Sequence, residues 1–249
     1  MATSHSPPRC AEAPDLFLTA LPEPAASAIG VAGHRLRLRE RFLAAGPEAL
    51  ADHEMLEIVL FALPRRDTKP LARTLLSRFG SFPRVIAAPV QDLLAVEGLG
   101  EAGVAALKSV QAAALRLLRA EVIDQPVLNN WDRLMAYLSA ELSRERVEQF
   151  RVLFLDNRNH LLADEAQQRG TVNHTPVYPR EVAKRALELH ATALILAHNH
   201  PSGDPTPSRE DIATTREIKA AAEALRIVLH DHVIVARGRW LSFRQEGLL

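Results

Sequence analysis

Two histidines stand two residues apart at the end of an apolar run. The run Ala193-Leu194-Ile195-Leu196-Ala197 predicts a buried strand, and His198 and His200 come directly at its end. Side chains two apart in a strand point to the same side of a sheet, so both imidazoles would face one place. Imidazole nitrogen is a common ligand of zinc and other transition metals. The spacing therefore predicts the beginning of a metal site.

A carboxylate follows on the next predicted element. Ser208 stands where an N-cap would, just before a helical stripe that includes Ile212. Asp211 comes three residues after that serine, in the first helical turn, where the helix dipole favours an ionised carboxylate. Asp211 could close a capping box with Ser208, or it could join the two imidazoles as a third metal ligand. Three protein ligands with an open fourth position are typical of catalytic zinc, and the joint spacing favours this second interpretation.

Other zinc proteins are excluded by what the sequence lacks. It contains no His-Glu-x-x-His, the helix motif of many metalloproteases. The only cysteine is Cys10, so the Pro-Cys-x-x-Cys of deaminases and the thiolates of structural zinc sites are missing. A lone cysteine also excludes a framework of internal disulfides.

Composition sets the wider limits. The chain has 249 residues, of which 47% are apolar and 24% charged, close to the averages of soluble globular proteins. Basic and acidic side chains number 30 each, so no strong global field favours the binding of a polyanion. No apolar stretch is long enough to cross a membrane, and residues 1–30 lack the pattern of a signal peptide. We expect a cytoplasmic protein without a membrane contact.

The elements that position these residues divide into two domains. The proline-rich residues 1–33 are predicted to be a disordered tail, and helical periodicity with glycine and proline breaks predicts a small all-helical domain over 35–120. Helices alternating with short apolar strands predict an α/β (α+β) domain over 127–249. The runs 227–229 and 233–235 are interpreted as its two last strands.

The metal-site residues also resemble a known motif. His198-x-His200-Pro201-Ser202 followed by Asp211 resembles the JAMM (MPN+) metalloprotease motif. The version His-Asn-His-Pro-Ser-Gly-Asp-Pro-x-Pro-Ser is similar to that of the bacterial RadC proteins. Further similar segments extend the resemblance over about residues 35–249, among them Phe154-Leu155-Asp156, Pro179-Arg180-Glu181-Val182, Asp231-His232, Arg78-Phe79-Gly80 and Gly98-Leu99-Gly100.

The resemblance implies a fold and a chemistry. It implies an MPN/JAB-type domain with a mixed sheet and flanking helices, and zinc held by His198, His200 and Asp211. It also implies that Ser202 helps to stabilise an oxyanion and that a glutamate is the general base. Glu148, just before a predicted strand, fits the position of that glutamate best, and Glu165 is the second candidate. The implied function is zinc-dependent hydrolysis of an amide or isopeptide bond in a peptide or protein substrate.

Three other polar residues receive plainer interpretations. Asp204 comes too early in the loop to match the third ligand and is interpreted as a turn residue. His174 lies in a predicted loop with nothing to fix it near a site. His232 is interpreted as a packing residue or as one that supports a ligand, not as a ligand itself.

The helical half suggests a second class of function. Residues 94–101 resemble a helix-hairpin-helix, in which Gly98 and Gly100 would let backbone amides approach a phosphate and Lys108 would add charge. Glu97 and Glu101 flank this hairpin and oppose it. The alternative function is therefore a DNA-associated repair or recombination accessory protein that binds DNA weakly through this domain. A third possibility, an MPN scaffold without activity, is disfavoured because such domains typically lack the ligands present here. The sequence leaves the oligomeric state and the substrate open.

Overall fold

The computed structural model describes residues 31–63, 67–123, 125–169 and 177–249. The chain splits into two compact units, residues 1–50 and residues 51–249. The first contains helix α1 (Val31–Ala45) and a short 3-10 helix over Pro47–Ala49. Helix α1 thus begins inside the predicted tail, and residues 1–30 of that tail lie outside the described residues.

The second unit begins with a group of helices. These are α2 (Asp52–Leu60), α3 (Lys69–Phe79), α4 (Phe82–Ala87), α5 (Val90–Leu94) and the long α6 (Gly100–Ile123). Their apolar faces enclose a core that includes Leu56, Leu75, Leu93 and Leu107, all fully buried. The predicted helical region is confirmed.

A mixed sheet follows these helices. After α7 (Trp131–Leu142), the strands and helices run β1 (Gln149–Leu155), β2 (Leu161–Arg169), α8 (Pro179–Glu188), β3 (Ala193–Asn199), α9 (Arg209–Ala224), β4 (Val228–Ala236) and β5 (Arg239–Ser242). Within the described residues, the strand order is β2-β1-β3-β4-β5. Strands β3 and β4 are parallel and the other neighbours are antiparallel. This mixed sheet with flanking helices confirms the predicted α/β class.

Each face of the sheet has its own core. One face packs Leu153, Ile195 and Val233 with the apolar side of α7. The opposite face packs Phe150 and Leu196 with residues of α8 and α9. His198 pairs with Phe150 across β3 and β1, so it lies on the second face, at the end where α9 begins. The end of the central strand β3 and the start of α9 thus bring the predicted ligands to one place.

The prediction of two strands over 227–229 and 233–235 was wrong. Both runs belong to the single strand β4, and the last strand is β5. The polar stretch His230-Asp231-His232 between the two runs lies within the strand. The register shifts there, since Leu194 pairs with Leu229 while Ile195 pairs with Asp231, which leaves His230 as an extra residue. This bulge turns the following side chains over, so that His232 faces the same side as His198.

None of the helices in the described ranges combines the length and the apolar character that a membrane crossing requires.

Candidate metal centre

The two predicted histidine ligands stand where β3 leaves the sheet. His198 is the last but one residue of β3 and is completely buried. His200 is the first residue beyond it, and its backbone amide donates to the carbonyl of Val235, 2.9 Å away, which keeps it aligned with β4. The side chain of His200 retains 16% of its exposure. One imidazole is therefore locked in the core and the other borders solvent.

The carboxylate reaches them from the first turn of α9. Ser208 Oγ accepts from the amide of Asp211 at 3.1 Å, and Asp211 Oδ2 accepts from the amide of Ser208 at 2.7 Å. This reciprocal capping box fixes the side chain of Asp211. Its Oδ1 lies 3.2 Å from His198 Nε2, and Oδ2 lies 3.5 Å from His200 Nε2. The two interpretations of Asp211 are thus compatible, because the capping box aims the carboxylate at the histidines.

One ligand atom from each of these three residues lies within 4.8 Å of the other two. The two Nε2 atoms are 2.9 Å apart. Burial alone would raise the pKa of Asp211, but its interactions with the two adjacent imidazoles and with the Ser208 side chain lower it far below its ordinary value. Burial opposes a charge on His200, yet Asp211, the Asp204 carbonyl and the charge of Glu148 raise its pKa. The cluster therefore combines an ionised carboxylate with two imidazoles, a donor set that fits a divalent transition metal.

The orientation of His200 is fixed by the loop that follows it. His200 Nδ1 lies 2.8 Å from the carbonyl oxygen of Asp204, which can only accept. Nδ1 therefore carries the proton, and Nε2 presents its lone pair to the cluster. The carboxylate of Asp204 accepts instead from the amide and hydroxyl of Thr206, as expected for a turn residue.

A chain of hydrogen bonds fixes the tautomer of His198. The hydroxyl of Thr215 donates to the carbonyl of Asp211 at 2.5 Å, so its oxygen accepts from His232 Nδ1 at 2.6 Å. His232 Nε2 then has only a lone pair and accepts from His198 Nδ1 at 2.8 Å. That assignment leaves the lone pair of His198 Nε2 directed at Asp211. Because His232 is fully buried, burial lowers its pKa and favours the neutral form that this chain requires.

The two candidate glutamates lie in different surroundings. Glu148 precedes β1 and is half-buried, and it lies close enough to His200 for its charge to raise the pKa of that imidazole. Glu165 lies on β2, and its carboxylate receives hydrogen bonds of 2.7 to 3.1 Å from Arg185. The charge of Glu148 thus acts on His200, whereas Glu165 is paired with Arg185 of α8.

The predicted oxyanion residue lies on the loop beyond the histidines. Ser202 is exposed, and its Oγ accepts from the amide of Asp204 at 3.3 Å. Its hydroxyl proton is therefore not used in that bond. Ser202 follows His200 by two residues, on the same loop.

Comparisons with known proteins agree with this geometry. A family model described as the RadC-like JAB domain matches residues 128–248, and one described as UPF0758 N-terminal matches residues 32–105. A UPF0758 protein of Rhodobacter capsulatus is 62% identical over 213 residues, which cover 85% of this chain and 100% of that protein. A UPF0758 protein of Ruegeria pomeroyi is 57% identical over 217 residues, covering 87% and 97% of the two chains.

The chain belongs to the RadC family. The resemblance drawn from its motifs is thereby confirmed, and so is the JAB-type domain that carries the His198, His200 and Asp211 cluster. The cluster in this RadC-family chain is compatible with a metal site.

Two residues of the centre gained their roles only from the structure. Thr215 was part of an apolar stripe in the sequence, although its position four residues after Asp211 places it on the same face of α9. His232 was interpreted as a supporting residue, but its link to Thr215 depended on the bulge in β4. His174 lies outside the described residues.

The predicted helix-hairpin-helix is also present in outline. Gly98 and Gly100 connect α5 to α6 with φ angles of 85° and 61°, which favour glycine. Lys108, however, directs its Nζ at the carbonyl of Ile86 and at the side chain of Gln111, at 3.1 and 2.8 Å. Partial burial lowers the pKa of Lys108. This lysine is used within the helical core and does not extend toward the hairpin glycines.

Proposed function

We propose that this RadC-family chain is a zinc-dependent metallohydrolase of the JAMM type that cleaves an amide or isopeptide bond in a peptide or protein. The observation that carries the proposal is the convergence of His198 Nε2, His200 Nε2 and the Asp211 carboxylate. Both imidazoles have hydrogen-bond partners that leave Nε2 unprotonated, which is the state a metal ligand requires.

The residues around the cluster would have separate roles in the proposed hydrolysis. Zinc, when held by the two histidines and the aspartate, would supply Lewis acidity toward the scissile carbonyl and the attacking water. Glu148 would accept a proton from that water, because it is half-buried and its charge acts on the imidazole of His200. Ser202 would donate its hydroxyl proton to the oxygen on which charge develops. The influence of Glu148 on His200, and the ion pair of Glu165 with Arg185, support this choice of base.

The first test is metal content. We expect the purified chain to carry about one zinc, and the double variant His198→Ala with His200→Ala to carry none, because one carboxylate holds the ion poorly. His190→Asn is the matched control, since His190 is an exposed histidine with a left-handed backbone that asparagine tolerates. Full zinc occupancy in the double variant would contradict the proposed centre.

The second test is hydrolysis in water labelled with heavy oxygen. A peptide library digested by the zinc-loaded chain should gain the label in newly formed carboxyl groups, as read by mass spectrometry. Glu148→Gln should keep its zinc and reduce this labelling by about a hundredfold or more, because it removes the proton acceptor. Glu165→Gln should retain activity. If the two glutamate variants behave in the opposite way, Glu165 is the base.

A further inference from the structure

A cleft of about 850 Å³ opens beside the metal-site loop. One wall comes from the ends of α3 and α4, a second from the segment between α7 and β1, and a third from Pro201 and the β4–β5 turn. Pro201 is bonded directly to the proposed ligand His200. The loop that carries the metal site is therefore part of the cleft wall.

Positive charge is concentrated in the cleft, although the chain as a whole has no net charge. Its lining holds two acidic side chains, Asp92 and Glu145, against five arginines: Arg78, Arg84, Arg144, Arg146 and Arg237. Only part of this charge is neutralised, by the ion pair of Arg146 with Asp92. Arg144 donates to the neutral carbonyl of Pro83 at 3.0 Å.

Two of the arginines have unused guanidinium groups. Arg84 and Arg237 are exposed, and neither forms an ion pair with any residue in the described part of the chain. Guanidinium groups bind carboxylates and phosphates through paired hydrogen bonds. The cleft thus offers two cationic groups to an anion.

Arg237 occupies a backbone position that does not suit arginine. It forms the two-residue turn between β4 and β5 with Gly238, and both residues have positive φ, 34° and 85°. Such a hairpin turn favours asparagine followed by glycine. Non-glycine residues in this conformation are strained, and strain of this kind is concentrated at functional sites. Arg237 therefore occupies a turn position where asparagine would be less strained.

The side chain of Arg237 also contacts the metal-site loop. A Cβ on Gly203 would lie 3.0 Å from Arg237 Cδ, so the arginine stem passes close to this glycine. Arg239 donates to the carbonyl of the same Gly203 at 2.5 Å. The β4–β5 turn is thus fixed against the loop that carries His200 and Ser202.

We propose that this cleft binds an acidic stretch of the polypeptide substrate, next to the bond that the metal centre cleaves. The identification of this peptide as a substrate rests on the proposed function, whereas the binding of an acidic peptide to the cleft does not depend on it. Carboxylates of Asp or Glu side chains would pair with Arg84 and Arg237 while the adjoining backbone runs past Pro201 toward the centre.

A peptide suits the cleft better than a nucleic acid. Binding of single-stranded nucleic acid relies on aromatic side chains that stack with the bases. Among the described residues that line the cleft, Phe79 is the only aromatic one, and Arg78 already lies over its ring at 5.5 Å. Duplex DNA requires an extended basic surface, whereas this chain balances 30 basic against 30 acidic side chains. A small, local and partly neutralised cluster fits a short run of carboxylates.

The test uses the full chain after removal of metal by a chelator, so that binding is measured without zinc or turnover. The probe is a fluorescein-labelled oligoglutamate peptide followed by fluorescence anisotropy. The double variant Arg84→Gln with Arg237→Asn should bind it at least about tenfold more weakly, because two charge-assisted contacts are lost. Arg237→Asn suits the turn, so its Tm should equal or exceed that of the wild type, which excludes unfolding as the cause.

A matched control removes the same charge elsewhere. Arg133→Gln with Arg180→Gln alters two arginines of α7 and α8 that are 52% and 83% exposed and lie outside the cleft. We expect this control to bind like the wild type and an oligoglutamine peptide not to bind. Equal losses in both double variants, no binding of oligoglutamate, or tighter binding of a single-stranded oligonucleotide that the cleft variant abolishes would each overturn the proposal. Loss of hydrolysis alone would leave the binding result intact and would count only against the proposed function.

Discussion

A single hydroxyl proton determines which nitrogen of His198 faces the other two ligands. Thr215 gives that proton to the carbonyl of Asp211, and the order of donors through His232 follows from it. If His232 carried its proton on Nε2 instead, two donors would meet between His198 and His232, or His198 would turn its protonated nitrogen toward the metal. Either outcome weakens the centre without altering any ligand.

We therefore predict that Thr215→Val lowers zinc affinity by about ten- to a hundredfold, the range found for residues that orient metal ligands. Valine keeps the shape of the side chain but removes the acceptor for His232 Nδ1. Thr215→Ser should restore affinity, because it returns the hydroxyl. Competition with a zinc chelator gives both affinities, and equal affinity for the valine variant and the wild type would show that the hydroxyl does not order the chain.

At the scale of elements, α7 is joined to the sheet by buried charges. Arg151 of β1 donates to Asp164 of β2 at 2.9 Å and to Glu141 of α7 at 3.3 Å. Tyr137 of α7 donates to the other oxygen of Asp164. The side chain of Asp164 is fully buried and that of Arg151 only 11% exposed. Removal of the arginine would leave a buried carboxylate without its counter-charge.

Arg151→Met should therefore lower the free energy of unfolding by about 3 kcal/mol, as measured by urea denaturation with an unchanged m-value. The matched control is Arg185→Met, because Arg185 forms its ion pair with Glu165 at sites that are 39% and 32% exposed. We expect that control to cost clearly less than Arg151→Met, because solvent screens an exposed pair. A similar cost for both variants would mean that burial does not distinguish the two pairs.

The exposed pair of Arg185 with Glu165 should make the stability of the fold depend on pH. The hydrogen bonds from Arg185 hold the pKa of Glu165 below its ordinary value of 4.5. A carboxylate with a lowered folded pKa stabilises the fold above its unfolded pKa, and this contribution is lost as pH falls below 4.5. Stability of Arg185→Met should thus decline less steeply than that of the wild type between about pH 5 and pH 3, by at most about 1 kcal/mol in total. Parallel denaturation curves at these pH values check this, and identical slopes would contradict it.

The strands that sequence patterns identified correctly were those with continuous apolar runs. Strand β3 is buried along its whole length, and its run of Ala193 to Ala197 was sufficient to predict it. Strand β4 contains buried polar residues. Neither the spacing of its apolar residues nor its composition distinguishes this polar stretch from a turn. Asp231 is satisfied there by the amides of His232 and Arg244, at 2.7 and 3.0 Å, and by Ser242. Two of these partners, Ser242 and Arg244, come from β5 and the segment after it, so only the folded chain reveals why the polar stretch can remain inside the sheet.

At the scale of the whole molecule, the parts of the site that could be predicted are those built from neighbouring residues of the chain. The parts that could not be predicted come from distant segments. His198, His200 and Asp211 lie within fourteen positions on one strand–loop–helix unit, so local spacing was enough to group them. Glu148 precedes β1 and stands fifty positions before His198 in the chain, so its place beside a strand was its only signal. The arginines of the cleft come from three distant segments, and nothing in their local sequence distinguishes them from solvated charges.

The whole-molecule charge leads to a last prediction, about DNA. The chain has no net charge, and Lys108 is bound within the helical core. We expect duplex DNA to bind with a Kd weaker than about 10 µM at physiological salt, in the range of non-specific binding. Any binding should fall steeply as salt rises, since phosphate contacts release counterions. Asp211→Asn should leave this binding unchanged, because the metal centre takes no part in it. Anisotropy of a labelled duplex at two salt concentrations provides the measurement. Tight binding that resists salt and is lost in Asp211→Asn would mean that the metal centre itself acts on nucleic acid, and hydrolysis of a peptide bond would then no longer be the favoured function.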